Sequence, residues 1–502
     1  MQPSDSRSTH EASAALRLVN RQRLVVPVES LVIGLYVVEL DRPWLDTPFL
    51  LQGFLIDSEA ELQALQGNCS HAYVDLDRSS QEAAQAVQRP APAAAAKLPP
   101  PGQRYPARAD IRISAATRQR FRQFARETAP PAGSQGVLGR IATWMASPLS
   151  LVGGRHADPG TAPHARRGLL PVDVQATVYR DVRAFGAELP RARRAFEFAE
   201  AALASLLAGI RAGARIDLGE VTTGAYALVD SIIDNPDALV WVGRLRDVDF
   251  NPANHGVKVA LYLVVLGRHL GLPRRHLAEL ALIGMLADIG KVRVSRTLLE
   301  KPGMLTAEEF QQVKEHVRLG LEIIGHCEAL PDSVQLGIAQ HHERLDGSGY
   351  PGGLVADAIS LYGRMAAIAD SFAALITPRP YAEASSAQDA LMNLCEWAGS
   401  SFDETLVEQF VQAVSMFPVG SLVELGSGEV AVVATQARDT SSQTSVLVLT
   451  WPDKTLLERP VTRTVSRPGR TVEEQHRIVS GLPVGSFGIA LRDFYATDPG
   501  LA

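Results

Sequence analysis

The sequence predicts a mainly α-helical protein, a helical bundle with a small β-containing domain before it and a small β module after it. Three observations predict this. Apolar residues recur at helical spacing within 172–412, most clearly Phe196, Ala199, Leu203, Leu206, Leu207 and Ile210. Runs rich in Val, Leu and Ile within 21–41 read as short strands. After Pro418 the chain turns β-branched again, in 420–435 and 445–450, between Gly and Asp breaks.

Composition sets the class. The 502 residues allow two to four domains, at roughly 100–200 residues each. Apolar residues make up 46% and charged residues 21%, as in soluble globular proteins. A net charge of −6 supplies no basic field to draw in DNA or RNA. Cys69, Cys327 and Cys395 are odd in number and far apart, which argues against a disulfide framework and fits a reducing cytoplasm. The first residues lack the apolar core of a secretory signal. The apolar run 141–154 is too short to span a bilayer and contains a proline, so it reads as a buried or docking helix. The expectation is a cytoplasmic protein with no membrane span.

In chain order, 20–78 forms the small β-containing domain. Its segment 21–41 yields two strands broken at Glu29–Ser30, and Phe54–Ile56 and Ala72–Val74 add two more. Twelve of the twenty residues 81–100 are Ala or Pro, so 79–115 reads as a linker. Residues 116–214 form a helical region with an irregular insertion at 134–170. The main helical domain is 215–412. Within it Leu261–Leu270 and Leu277–Ile289 are strongly apolar, with Gly and Pro between them. The capping box Thr306-x-x-Glu309 opens the next helix, just after Pro302-Gly303. Further helices fit 331–342, 360–376 and 386–397. A β module at 413–465 and a tail at 466–502 complete the chain. There is no internal repeat of 20–50 residues.

Five helices of the main domain carry metal-ligand residue types. His255 opens one, Asp288 ends the next with Lys291 three residues on, and His316 lies inside the helix that starts after Thr306. His341 and His342 end another, and Asp370 sits in a fifth. Such residues can converge only in a folded bundle, where metal sites are often built. Imidazole and carboxylate together suit first-row divalent metals. Coordination can lower the pKa of a bound water from 15.7 to about 7. Lys291 could then neutralise charge developing on phosphate oxygens. Each piece alone is ordinary. A lone helical histidine is usually a core or surface residue, and an aspartate in an apolar helix is as often half of a structural ion pair.

The run His341-His342-Glu343-Arg344-Leu345-Asp346-Gly347-Ser348-Gly349-Tyr350-Pro351 is more specific. It resembles the signature of the HD-GYP family, metal-dependent phosphodiesterases acting on cyclic di-GMP. The match extends over Asp288-Ile289-Gly290-Lys291, Lys301–Thr306, Glu315-His316 with Gly320, Ile368-Ala369-Asp370 and Arg379-Pro380-Tyr381, and covers 215–412. It implies an HD-type helical bundle with His255, Asp288, His316, His341, His342 and Asp370 as ligands of two divalent ions, Fe or Mn by preference. Asp288 would bridge the ions, and Lys291 would touch the scissile phosphate. Tyr350, with Gly349 and Pro351, would line the nucleotide pocket, and Arg379 would hold a phosphate or guanine. The segments Gly34–Val37, Leu40–Trp44, Thr47–Phe49 and Gln52–Phe54 resemble the small domain of unknown function that often precedes HD-GYP domains. That likeness implies a regulatory role, while Trp44, Phe49 and Phe54 also suit a plain core.

The sequence departs from the family pattern at the His-Asp pair, which here is Ala287-Asp288. Alanine has no donor atom, so one ligand is missing. Asn251 stands where some relatives with three metals carry Glu, and Ala382 where a basic residue often follows the Arg-Pro-Tyr box. The expected activity is hydrolysis of the 3′–5′ phosphodiester of cyclic di-GMP to pGpG or GMP by a metal-bound hydroxide, impaired at Ala287. The rival expectation is a non-catalytic receptor for the nucleotide, or a scaffold for a partner such as a diguanylate cyclase domain. A phosphohydrolase acting on another nucleotide is the third.

Overall fold

A computed structural model describes residues 23–40, 54–69, 71–76, 78–88, 170, 174–246, 252–301, 305–325, 330–377, 384–436, 444–465 and 477–494. The run 141–154, Trp44, Phe49, Asn251, residues 302–304, His326, Cys327 and the segment from Arg379 to Ala382 lie outside the described residues. The chain divides into two compact units, residues 1–117 with 301–306, and residues 118–300 with 307–502.

In the first unit four strands form an antiparallel sheet: β1 (Arg23–Pro27), β2 (Tyr36–Leu40), β3 (Phe54–Leu55) and β4 (His71–Asp75). Their order is β1-β4-β2-β3, with Leu24 opposite Val74 and Val37 opposite Phe54. A 3-10 turn at Val28–Ser30 supplies the expected break. Two helices pack with this sheet, α1 (Glu59–Asn68) and α2 (Gln81–Gln88). The strand reading did not anticipate α1, although its start is a capping box: Ser58 accepts from the Glu61 amide, and the Glu61 carboxylate accepts from the Asp57 amide at 2.8 Å. Helix α2 occupies the front of the stretch read as a linker. Alanine is the best intrinsic helix former, the Ser80 hydroxyl takes the Ala83 amide at 3.2 Å, and Ala83 is buried.

The second unit is a helical bundle closed by a sheet. Its helices are α3 (Phe185–Arg211), α4 (Gly219–Asp234), α5 (Pro236–Leu245), α6 (Pro252–Leu270), α7 (Arg274–Leu286), α8 (Arg296–Leu299), α9 (Ala307–Lys314), α10 (His316–Ile324), α11 (Asp332–Gln340), α12 (Leu361–Ile376), α13 (Ala387–Trp397) and α14 (Glu404–Val414). Helices α6 and α7 are apolar nearly all round, as central members of a bundle must be. A Cβ on Gly284 of α7 would come within 2.3 Å of the Ala260 amide nitrogen of α6, so this glycine permits their close packing. The helix after Thr306 ends at Lys314, and His316 opens a new one, α10, rather than lying in its interior.

Strands β5 (Leu422–Leu425), β6 (Val430–Thr435), β7 (Thr444–Thr450), β8 (Leu456–Val465) and β9 (Ile478–Leu482) form the antiparallel sheet β8-β7-β6-β5-β9. Its buried residues, such as Val432 and Leu447, join the same apolar core as Phe410 and Trp241 of the bundle. Strand β9, read from sequence as tail, pairs with β5 and fixes the sheet to α13 through the Gly481 amide, which donates to Gln388 Oε1 at 2.8 Å. No helix among the described residues is long and apolar enough to cross a membrane.

Candidate metal centre

Two chain turns create the site. After α7, Ala287 caps the helix and Asp288 opens a 3-10 turn over Ile289–Arg293. A Cβ on Gly290 would stand 1.8 Å from the His316 carbonyl oxygen and 2.5 Å from the Gly320 amide nitrogen. Only glycine lets this turn lie on the first turn of α10, and that contact brings Asp288 beside His316. After α11, His341 occupies the C-cap position and His342 follows it.

Asp288, His316, His341 and His342 each place one donor atom within 4.8 Å of the others. His316 Nε2 lies 3.4 Å and His341 Nε2 3.9 Å from Asp288 Oδ1. The three imidazoles are 0–2% exposed. Asp288 Oδ1, His316 Nε2, His341 Nε2 and His342 Nδ1 are buried without a hydrogen-bond partner among the described residues. Buried polar atoms normally find partners. Four such atoms facing one another fit a cation. With ligand bonds of about 2.1 Å, the cluster would have to close in for all four donors to share one ion.

The ring orientations agree. His316 Nδ1–H donates to the Val313 carbonyl at 2.7 Å, and His341 Nδ1–H donates to the Ile338 carbonyl at 2.7 Å. Such bonds place the proton on Nδ1 and leave the Nε2 lone pair toward the centre, the usual arrangement behind metal-ligating histidines. Burial, with Lys291 nearby, pushes the His316 imidazole down to about 3. Burial likewise lowers His341 and, with the neighbouring imidazoles and Arg344, lowers His342 well below the usual value. All three rings are therefore neutral donors at pH 7. Burial alone would raise Asp288, but Lys291 and the imidazoles outweigh it and hold the carboxyl well below the usual range. One carboxylate and three neutral rings carry −1. A divalent ion would make the centre positive, a charge that attracts a phosphodiester.

The other sequence candidates are distributed around this cluster. Lys291 Nζ donates to Asp288 Oδ2 at 2.6 Å and is partly exposed. His255 and Asp370 stand outside the four-donor group and bond each other, Nε2 to Oδ1, at 2.9 Å. Tyr350 is buried, its ring stacked on His342 with centroids 4.6 Å apart and planes at 26°. The Tyr350–Pro351 peptide is cis. A Cβ on Gly349 would meet the Arg344 amide nitrogen at 2.4 Å, so the loop closes tightly beneath the tyrosine. Arg379 lies outside the described residues. His269 bonds Gln409 at 3.1 Å and His276 bonds the Tyr362 hydroxyl at 2.7 Å, both apart from the cluster.

Sequence reasoning gave no role to several residues that shape the site. The Glu343 carboxylate accepts the Gly352 amide at 2.6 Å and the Leu354 amide at 2.8 Å, tying the loop to the histidine pair. Arg344 is fully buried, donates to the His341 and Glu343 carbonyls, and lies over the Phe402 ring. Phe310 and Lys314 of α9 also meet Tyr350: the Phe310 ring sits edge-on to it, and the ammonium lies 5.2 Å from its centroid. An arginine and a glutamate beside a histidine pair were the available signal, but their spacing does not reveal that they face inward.

The chain is similar to several known proteins. Residues 244–406 match the HD domain family, and residues 24–221 match a domain of unknown function, DUF3391. The chain is 30% identical to the cyclic di-GMP phosphodiesterase PA4108 of Pseudomonas aeruginosa, over 82% of this chain and 81% of that one. It is 38% identical to the cyclic di-GMP phosphodiesterase response regulator RpfG of Xanthomonas campestris, over 30% of this chain and 39% of that one. Similarity extends to the 3′3′-cGAMP-specific phosphodiesterase 2 of Vibrio cholerae, at 36% identity over 32% of this chain and 30% of that one.

Proposed function

This chain belongs to the HD-GYP family of HD-domain proteins, and from that premise we propose that it hydrolyses a 3′–5′ phosphodiester of cyclic di-GMP to pGpG or GMP. The observation that carries the reading is the set of four buried, mutually facing donors of Asp288, His316, His341 and His342. In this reading they hold a divalent ion, Fe or Mn by donor type. A second ion would be held by His255, Asp288 and Asp370, one ligand short because residue 287 is alanine. When bound, such ions supply a water of lowered pKa and a Lewis acid for a phosphoryl oxygen.

The chain's own residues do the rest. Asp288 fixes one end of Lys291, whose ammonium stays open enough to meet a phosphate oxygen. Burial keeps the imidazoles neutral, so they remain ligands at neutral pH. The Tyr350 stack holds His342 in place. Arg379 is assigned to the nucleotide, with Gly349 and Pro351 shaping the pocket wall.

Ala287 favours a second reading, a receptor that binds the nucleotide or a diguanylate cyclase domain without turnover. A hydrolysis assay decides between them, with protein purified without oxygen and loaded with Fe or Mn. Slow conversion of cyclic di-GMP to a linear product supports the enzyme, and 3′3′-cGAMP in parallel tests base specificity. Tight nucleotide binding with no turnover under any metal would replace the enzyme with the receptor.

A further inference from the structure

Lys314 is the last residue of α9, and His316 of the cluster follows two positions later. Its ammonium lies over the ring of Phe310, 4.4 Å from the centroid. Residues four apart are neighbours on a helix surface, so this contact alone is ordinary. The second contact is not local. The same ammonium lies 5.2 Å from the centroid of Tyr350, which comes from the loop after His342. Tyr350 is in turn stacked on His342, with centroids 4.6 Å apart. One aromatic ring therefore touches both the charge of Lys314 and a donor of the cluster.

Two ammonium groups thus border the centre, and they are placed differently. Lys291 bonds Asp288, a member of the cluster itself, at 2.6 Å. Lys314 is partly exposed and set against π faces, which attract a cation without cancelling its charge. The cluster with a divalent ion and Lys291 suits one phosphodiester. A cyclic dinucleotide carries two, joined in one covalent ring, so binding the first at the centre brings the second close by. An anion brought against Phe310 and Tyr350 without a cation would bind at a cost.

We propose that Lys314 holds the second, uncleaved phosphodiester of a cyclic dinucleotide, with Phe310 and Tyr350 fixing the ammonium in place. This rests on the reading of the metal centre as a site for cyclic di-GMP, and makes Lys314 a determinant of substrate class. A contact remote from the bond that breaks is present equally in the bound substrate and the transition state, so its loss raises KM and leaves kcat alone.

The test uses the full chain, loaded with Mn2+ without oxygen. Lys314→Met keeps the apolar stem and removes the charge. It should raise KM for cyclic di-GMP, or the dissociation constant if the chain does not turn over, by at least about tenfold, the lower end for a hydrogen bond to a charged group. Metal content should be unchanged, and any kcat should stay within about twofold. Lys314→Arg should recover most of the affinity. The loss should be equal for 3′3′-cGAMP, which also carries two phosphodiesters, because a phosphate contact does not read the base. Unchanged affinity in Lys314→Met, or a loss confined to one of the two nucleotides, would overturn the inference and leave the proposed function standing. So would a fall in metal content, which would make Lys314 a support for Tyr350 and His342. If Lys314→Met does not fold, Lys314→Gln decides by the same measurements. A native chain that binds neither nucleotide would overturn the proposed function and the inference together.

Discussion

Lys291 Nζ lies 2.6 Å from Oδ2 of Asp288, while Oδ1 of the same carboxylate faces His316 at 3.4 Å and His341 at 3.9 Å. One side chain thus divides its oxygens between a partly exposed cation and the buried cluster. The division predicts separable effects. Lys291→Met should leave metal content unchanged and lower hydrolysis by roughly 100-fold, the scale for removing one group that stabilises developing oxyanion charge. Metal analysis beside the rate measurement checks it. Loss of metal together with activity would make Lys291 a support for Asp288 instead.

Tyr350 packs on His342 with its ring nearly parallel. Tyr350→Phe should retain metal content, because the stacked ring is kept. Tyr350→Leu removes the flat surface and should weaken metal retention by about tenfold, the scale of lost support for a ligand. A chelator competition titration measures both. Equal retention in the two variants would assign Tyr350 to the nucleotide alone.

Gly290→Ala should disrupt the site through the backbone. Its Cβ would overlap the His316 carbonyl, and overpacking of this kind costs roughly 1–3 kcal/mol or more. Thermal unfolding should shift down and metal affinity should fall. Gly209→Ala in α3 is the control. The nearest atom outside its own turn is the Ala214 Cβ at 3.7 Å, and alanine should be neutral or stabilising by about 0.5–1 kcal/mol there.

Lys258 in α6 is buried, and that burial, with Arg244 nearby, pushes its amine down from 10.5 to about 7. The unfolded chain therefore binds more protons than the folded one between about pH 7 and 10.5. Stability from this group should rise with pH across that window and be flat below it. Lys258→Met should remove the rise. Melting curves of both proteins from pH 6 to 10 test this. An unchanged pH slope in the variant would place the titration elsewhere.

The sequence by itself determined the helical class, the flanking β regions and the donor types. Periodic apolar residues from Phe196 to Ile210, the Thr306 capping signal and the glycines of the loop after His342 are local features, legible within a few residues. The helix read over Leu277–Ile289 stops at Leu286, because a 3-10 turn over Ile289–Arg293 follows. The tertiary structure alone decided which donors meet. His255 and Asp370 carry the same donor types as His316 and Asp288, yet they stand outside the four-donor group. That difference depends on helix packing between segments 115 residues apart. Strand β9 shows the same limit. Its short run gains a partner only because β5 lies beside it, and no local pattern encodes a neighbour that distant.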